Sequence, residues 1–188
     1  MAISTKQALT ADEFWELPEI PGKRLQLVAG EVVEAPGATW LHGALVTRLF
    51  SWLTAYAVSN RPGQVFGDGM TYLLAREPDT IRIPELSFIP ADRLPPGRAP
   101  QRYVDAIPAL VVEIVSPSNS APDLRRRIRD YLEAGVSAIW VLWPGERVVS
   151  VYANSMSPKQ LTADDALDGG DVLPGFSVKV AALFDIEW

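Results

Sequence analysis

Two glutamates, Glu85 and Glu113, each interrupt an otherwise apolar run: Ile83-Pro84-Glu85-Leu86-Ser87-Phe88-Ile89 and Leu110-Val111-Val112-Glu113-Ile114-Val115. Runs this apolar read as core strands. Neither can bury its carboxylate alone, because stripping an ion of water costs several kcal/mol or more; the group neutralises, pairs or binds a metal. The second run leads through Ser116-Pro117-Ser118-Asn119 into a helix that opens Asp123-Leu124-Arg125-Arg126-Arg127. Two carboxylates on neighbouring strands beside a basic helix are groups that could hold a divalent cation against a phosphodiester. The same residues also allow a plainer arrangement, in which the glutamates face solvent from half-exposed strands or pair with the arginines.

The elements that must position these residues are marked along the chain. Thr10-Ala11-Asp12-Glu13 is a capping box, with Phe14, Trp15 and Leu17 expected on the apolar face of a short helix. Leu25 to Val28 and Glu31 to Glu34 flank Ala29-Gly30, a tight turn between antiparallel strands. After a break at Pro36-Gly37, apolar residues recur with helical spacing from Thr39 to about Ser59, at Leu41, Leu45, Leu49, Trp52, Leu53 and Tyr56. Val65 to Phe66, Met70 to Leu74 and Ile81 to Ile89 are short strands broken by Gly67, Gly69 and Pro78, and the proline-rich stretch from Pro90 to Pro108 reads as a surface loop. Ala109 to Val115 is expected at the centre of the sheet. Ser120 caps the next helix, Pro122 suits its first turn and Gly135 ends it. A hairpin follows (Ala138 to Leu142, Arg147 to Tyr152), then a turn at Asp168-Gly169-Gly170-Asp171 and a closing helix at Ala181 to Phe184.

Composition narrows the function class. The 188 residues fit one domain, 1–188, and an apolar fraction of 48% is that of a globular chain. No apolar run approaches the roughly 20 residues of a membrane helix, and Met1 to Thr10 lack a secretory layout, so the cytoplasm is the expected compartment. With no cysteine there is no disulfide or thiolate metal site, and the single histidine, His42, excludes a multi-histidine zinc centre. The net charge of −6 argues against a generic nucleic-acid coat; the dense basic cluster is Arg125, Arg126, Arg127 and Arg129, which equally suits a solvated helix face. The six tryptophans are expected mostly in the core or an interface. Aromatic and apolar strands near the C-terminus suggest a homodimer.

Several segments together carry a resemblance: Arg82-Ile83-Pro84-Glu85; the hairpin around Gly30-Glu31-Val32-Val33; His42 after a Pro-Gly turn; Pro108 to Ser118 with Asp123-Leu124; Tyr131 to Val136; Trp140-Val141; and Asp168 to Phe176. In this order and spacing, from Leu25 to Phe184, they resemble the putative restriction endonuclease family, a branch of the PD-(D/E)XK nuclease superfamily. The resemblance implies an α/β fold, restriction-endonuclease-like, with a central mixed sheet flanked by helices. It also implies a DNA endonuclease using magnesium or manganese held by Glu85, Glu113 and the carbonyl of Ile114. Arg127 would stabilise charge on the phosphorus centre, Gln26 would complete the shell, and His42 matches a position near the substrate.

Against the family pattern, Glu85 stands for an aspartate, Arg127 for a helix lysine, Gln26 for a glutamate, Ala29 for an aspartate and Trp143 for another. Glu85 moves its carboxylate by roughly a bond length where magnesium tolerates little distortion. Arg127 keeps the charge but cannot shuttle a proton, and Gln26 removes a negative charge while keeping a carbonyl oxygen. Two functions follow as alternatives: an endonuclease with weakened activity, or a binding or structural protein on a nuclease scaffold that has lost catalysis.

Overall fold

A computed structural model describes residues 8–34, 39–67, 69–94, 97, 102–117 and 120–186. The break at Pro36-Gly37, the Ser118-Asn119 turn, parts of the proline-rich loop and Trp188 lie outside the described residues. Among the described residues, four α-helices, α1 (Ala11–Trp15), α2 (Trp40–Asn60), α3 (Ala121–Glu133) and α4 (Val180–Phe184), accompany twelve strands. The first six strands are β1 (Leu25–Val28), β2 (Glu31–Glu34), β3 (Gly63–Phe66), β4 (Tyr72–Ala75), β5 (Thr80–Arg82) and β6 (Leu86–Pro90). The remaining six are β7 (Leu110–Ile114), β8 (Ala138–Trp143), β9 (Val148–Tyr152), β10 (Lys159–Leu161), β11 (Ala166–Asp168) and β12 (Ser177–Lys179).

The main sheet has six strands in the order β10-β9-β8-β7-β6-β3, mixed because β7 and β8 run parallel while the other neighbours are antiparallel. The β7–β8 crossover is α3, the connection a parallel pair needs. A second sheet of order β2-β1-β5-β4 sits beside it, and β11 pairs with β12. The single apolar segment expected from Ile81 to Ile89 is therefore two strands in two sheets. Pro84 cannot donate to a ladder, and the chain leaves one sheet at Arg82 and enters the other at Leu86, with Glu85 in the bend between them.

Side-chain alternation along β7 divides the core. Leu110, Val112 and Ile114 face one layer with Leu45, Leu49 and Leu53 of α2 and with Leu167, Phe176 and Leu183. Val111 faces the other, where Leu124, Ile128 and Tyr131 of α3 meet Tyr72 and Ile139. Glu113 shares the parity of Val111, so it points under α3. The C-terminal apolar residues that suggested a dimer face are core: Leu173, Phe176, Val180 and Leu183 are all buried. That ground for self-association is removed.

Local signals explain most boundaries. Thr10 and Glu13 form the reciprocal capping box of α1, though Trp15 and Leu17 lie exposed and only Phe14 packs inward. Ala29 (φ 51°) and Gly30 (φ 77°) both take the left-handed conformation of the β1–β2 turn. Gly30 also backs onto Ala8, whose Cβ would lie 2.3 Å from any Cβ added there. Thr39 and Ser120 cap α2 and α3. The Pro90–Pro108 stretch is not wholly a surface loop, since Val104 is buried and bridges to Tyr72. The short strands β10 to β12 carry too few apolar positions to be read from periodicity. Among the described residues no helix is long and apolar enough to cross a membrane.

Leu49 is fully buried between α2 and the sheet, whereas Val58 on the same helix is 71% exposed. Leu49→Ala should therefore cost about 2–5 kcal/mol in urea denaturation, while Val58→Ala should stay within about 0.5 kcal/mol of the parent.

Candidate active site

The site is built around Glu113, which is 2% exposed near the end of β7. Leu124, Arg127, Ile128 and Tyr131 form the buried stripe of α3 at the i, i+3, i+4, i+7 spacing, which carries one cation and one phenol down onto the sheet. Arg127 Nη1 donates to Glu113 Oε2 at 2.5 Å, and the Tyr131 hydroxyl donates to Oε1 at 2.7 Å. Each carboxylate oxygen thus has a donor, as a buried ion requires. Arg125, Arg126 and Arg129 face solvent. The Glu113 carboxylate, more than any other group, holds the Arg127 guanidinium above its ordinary pKa; Tyr131 and Glu85 add to it, and burial opposes it. Burial first, and then the Glu113 charge, push the Tyr131 phenol well above its usual value.

Glu85 reaches the same place from the neighbouring strand. The antiparallel ladder between β6 and β7 ends at the Leu86–Val112 pair, so Glu85 sits in the bend just past its edge, and its charge acts on Arg127 together with that of Glu113. Its Oε2 lies 3.1 Å from His42 Nε2 and 3.9 Å from Arg24 Nη1. The imidazole contact has ion-pair distance without hydrogen-bond alignment, and both ring nitrogens are buried without a hydrogen bond. The His42 backbone amide meets the Thr39 hydroxyl in the cap of α2, so the capped helix start delivers the ring to Glu85. Arg127 Nε is likewise a buried donor with no acceptor.

Gln26 is buried in β1, and its Oε1 accepts from Arg82 Nη1 at 2.9 Å. Arg82 in turn clamps Asp130 of α3, from Nε at 2.9 Å and Nη2 at 2.5 Å. Gln26 therefore works as part of a bridge tying the smaller sheet to α3, and Glu85, Glu113, Arg127 and His42 are the sequence-derived residues that meet around the two carboxylates. Trp143 donates its indole N–H to Ser150 at 2.8 Å in the β8–β9 hairpin. Tyr131, Arg82, Asp130 and Arg24 were missed in the sequence. Tyr131 alone had a readable signal, four residues beyond Arg127 in the apolar stripe.

The donor set suits a hard divalent cation in kind. Magnesium is commonly held by one or two carboxylates with water completing the shell, and the charges of Glu113 and Glu85 both act on Arg127, with Ile114 next to Glu113 in the chain. No cluster of three or more His, Asp or Glu that could hold a metal occurs among the described residues. Both carboxylates are at present answered by Arg127, His42 and Arg24 instead.

Arg127→Ala would strand the Glu113 charge and should cost about 3–5 kcal/mol in equilibrium denaturation, whereas Arg125→Ala should be indistinguishable from the parent. Pairing Arg127→Met with Glu113→Gln should recover most of the loss, because no buried charge then remains. Alkali supplies a second check. Burial raises Tyr72 to about 12, the Ser87 contact opposing it, and Tyr131 is raised too. The unfolded chain therefore loses these protons more easily than the folded one. Their stabilisation is complete below about pH 10 and falls as pH rises above it, for Tyr72 as pH approaches about 12. Phenolate absorbance from these two residues should appear together with unfolding; ionisation of all five tyrosines in the folded protein near pH 10 would contradict their burial.

The family model described as "Uma2: Putative restriction endonuclease" matches residues 11–181. The crystal structure of a putative nuclease belonging to DUF820 from Anabaena variabilis superposes with a TM-score of 0.80 at 21% identity, covering 94% of this chain and 97% of that one. No curated protein matches the chain. The six-stranded mixed sheet with helices on both faces is thus the restriction-endonuclease-like fold, and since the family model spans nearly the whole sequence, the chain belongs to the Uma2 putative restriction endonuclease family.

Proposed function

We propose that this protein is an endonuclease that hydrolyses DNA phosphodiester bonds with magnesium or manganese. The observation that supports the reading is that Arg127 binds Glu113 at the end of β7 and also feels the charge of Glu85, just before β6. Glu85, Glu113 and the carbonyl of Ile114 would hold the cation, which when bound supplies Lewis-acid stabilisation of the phosphoryl oxygens and a more acidic water. Arg127 contributes a permanent charge, and its unpartnered buried Nε is a donor suited to a phosphate oxygen. His42 holds Glu85 in place, and Tyr131 fixes the rotamer of Glu113.

One observation favours the second reading, a scaffold that binds nucleic acid without cutting it. Glu113 is already satisfied by Arg127 and Tyr131, and the Gln26 oxygen is taken by Arg82. A divalent cation must therefore compete with an internal guanidinium for Glu113, which weakens binding and slows hydrolysis.

Single-turnover cleavage of plasmid DNA in manganese separates the two. The parent should cut slowly. Glu113→Gln should lower the rate by about 100-fold, equivalent to roughly 2.7 kcal/mol. The joint substitution Gln26→Glu, Glu85→Asp and Arg127→Lys should cut faster than the parent, while single changes do little because the groups act as a unit. Cleavage by neither the parent nor the triple variant would leave the binding reading in its place.

A further inference from the structure

A groove of about 630 Å³ lies between the segment after α1 and the start of β1, within the roughly 300–1,000 Å³ of small-ligand sites. Arg24 lines it and also faces Glu85 at 3.9 Å, and Ile83, two residues before Glu85, forms part of its wall. Arg24 is therefore the residue the groove shares with the surroundings of Glu85. Its other wall is the segment after the first turn of α1, where Trp15 (37%), Leu17 (38%) and Ile20 (46%) are exposed. Among the described residues these are three of the seven large hydrophobic side chains that stand in solvent, gathered within six residues. Scattered surface apolars need no explanation, but a contiguous group beside a polar site marks a binding surface.

From these features we infer that the groove receives one unpaired nucleotide of a single-stranded nucleic acid whose neighbouring phosphate faces Arg127; the inference rests on the nuclease reading of that site. An aromatic and aliphatic wall suits the flat face of any base, so the contact is tolerant of sequence. Lys23 and Arg24 supply positive charge for the flanking phosphates, against Glu19 as the one acid in the lining. Lys23 is held by Glu34 in an exposed pair, which a phosphate can displace because such pairs are weak. A base-paired nucleotide cannot turn its face to this wall without leaving its stack. The groove thus selects single strands, frayed ends or flaps over intact duplex. A protein partner would use the apolar wall but has no need of an arginine shared with the surroundings of Glu85.

Anisotropy of a labelled single-stranded oligonucleotide and of the same sequence as duplex, with the full chain in EDTA, tests this without cleavage. The single strand should bind more tightly than the duplex, and Trp15→Ala should weaken it about tenfold with little effect on the duplex. Ile20→Ser, in a segment outside any helix or strand, gives the same test should Trp15→Ala fold poorly, and Val58→Ala on α2 should change nothing. Equal affinity of both variants and parent for the single strand would overturn the inference. So would a preference for duplex, or no oligonucleotide binding with self-association that Trp15→Ala abolishes. The nuclease reading fails separately: single-strand binding that depends on Trp15 in a protein that never cleaves sinks hydrolysis and leaves the groove standing. Cleavage that is indifferent to Trp15 does the reverse.

Discussion

Taking the Glu113 carboxylate out of water costs several kcal/mol, and only a cation and a hydrogen-bond donor held in fixed positions offset it. Arg127 and Tyr131 can meet that demand only if α3 lies along β7 with one defined rotation, since helical spacing puts just one of three consecutive arginines on the sheet. The apolar stripe of Leu124, Ile128 and Tyr131 sets that rotation by burial, and the charge pair makes alternatives expensive. Arg82 extends the same logic outward. By holding Gln26 in its own smaller sheet and Asp130 on α3, it ties that sheet to the helix.

A second constraint concerns where the chain changes sheet. Ile83-Pro84-Glu85 lies between β5 and β6, and the proline prevents a continuous ladder. Glu85 is therefore released from strand pairing just past the Leu86–Val112 pair. Glu85 ends beside the capped start of α2 and Arg24, while Glu113 lies under α3 against Arg127 and Tyr131. The fold places two negative charges together and then surrounds them with a guanidinium, an imidazole and a second arginine. Such an arrangement can exchange an internal cation for an external one, which gives a catalytic reading and a binding reading a common physical basis.

Much of the scaffold was legible in the sequence because local chemistry and tertiary packing agree. The capping box at Thr10–Glu13, the Ala29-Gly30 turn, the periodicity of α2 and the uninterrupted apolar run of β7 each have a local cause. The split of Ile81 to Ile89 was missed because two short buried strands in different sheets read as one apolar segment. The site was half legible. Glu113 announced itself as a charge in a core strand, and Arg127 sits on the helical stripe, but the Arg82 clamp on Gln26 and Asp130 joins residues far apart in the chain and leaves no periodic trace. The Gln26 oxygen, expected to complete a metal shell, accepts from Arg82, a contact no local pattern announces.

The central claim is that Arg127 is the resident counter-ion of a carboxylate pair designed by position to take an external cation and a phosphate. The most direct test is a crystal structure of the protein with manganese and a non-hydrolysable phosphorothioate oligonucleotide, read by anomalous scattering. The account predicts a manganese peak between Glu85 and Glu113, with the Arg127 guanidinium drawn from Glu113 onto a phosphate oxygen. An intact Arg127–Glu113 pair, with manganese and phosphate bound elsewhere, would contradict it.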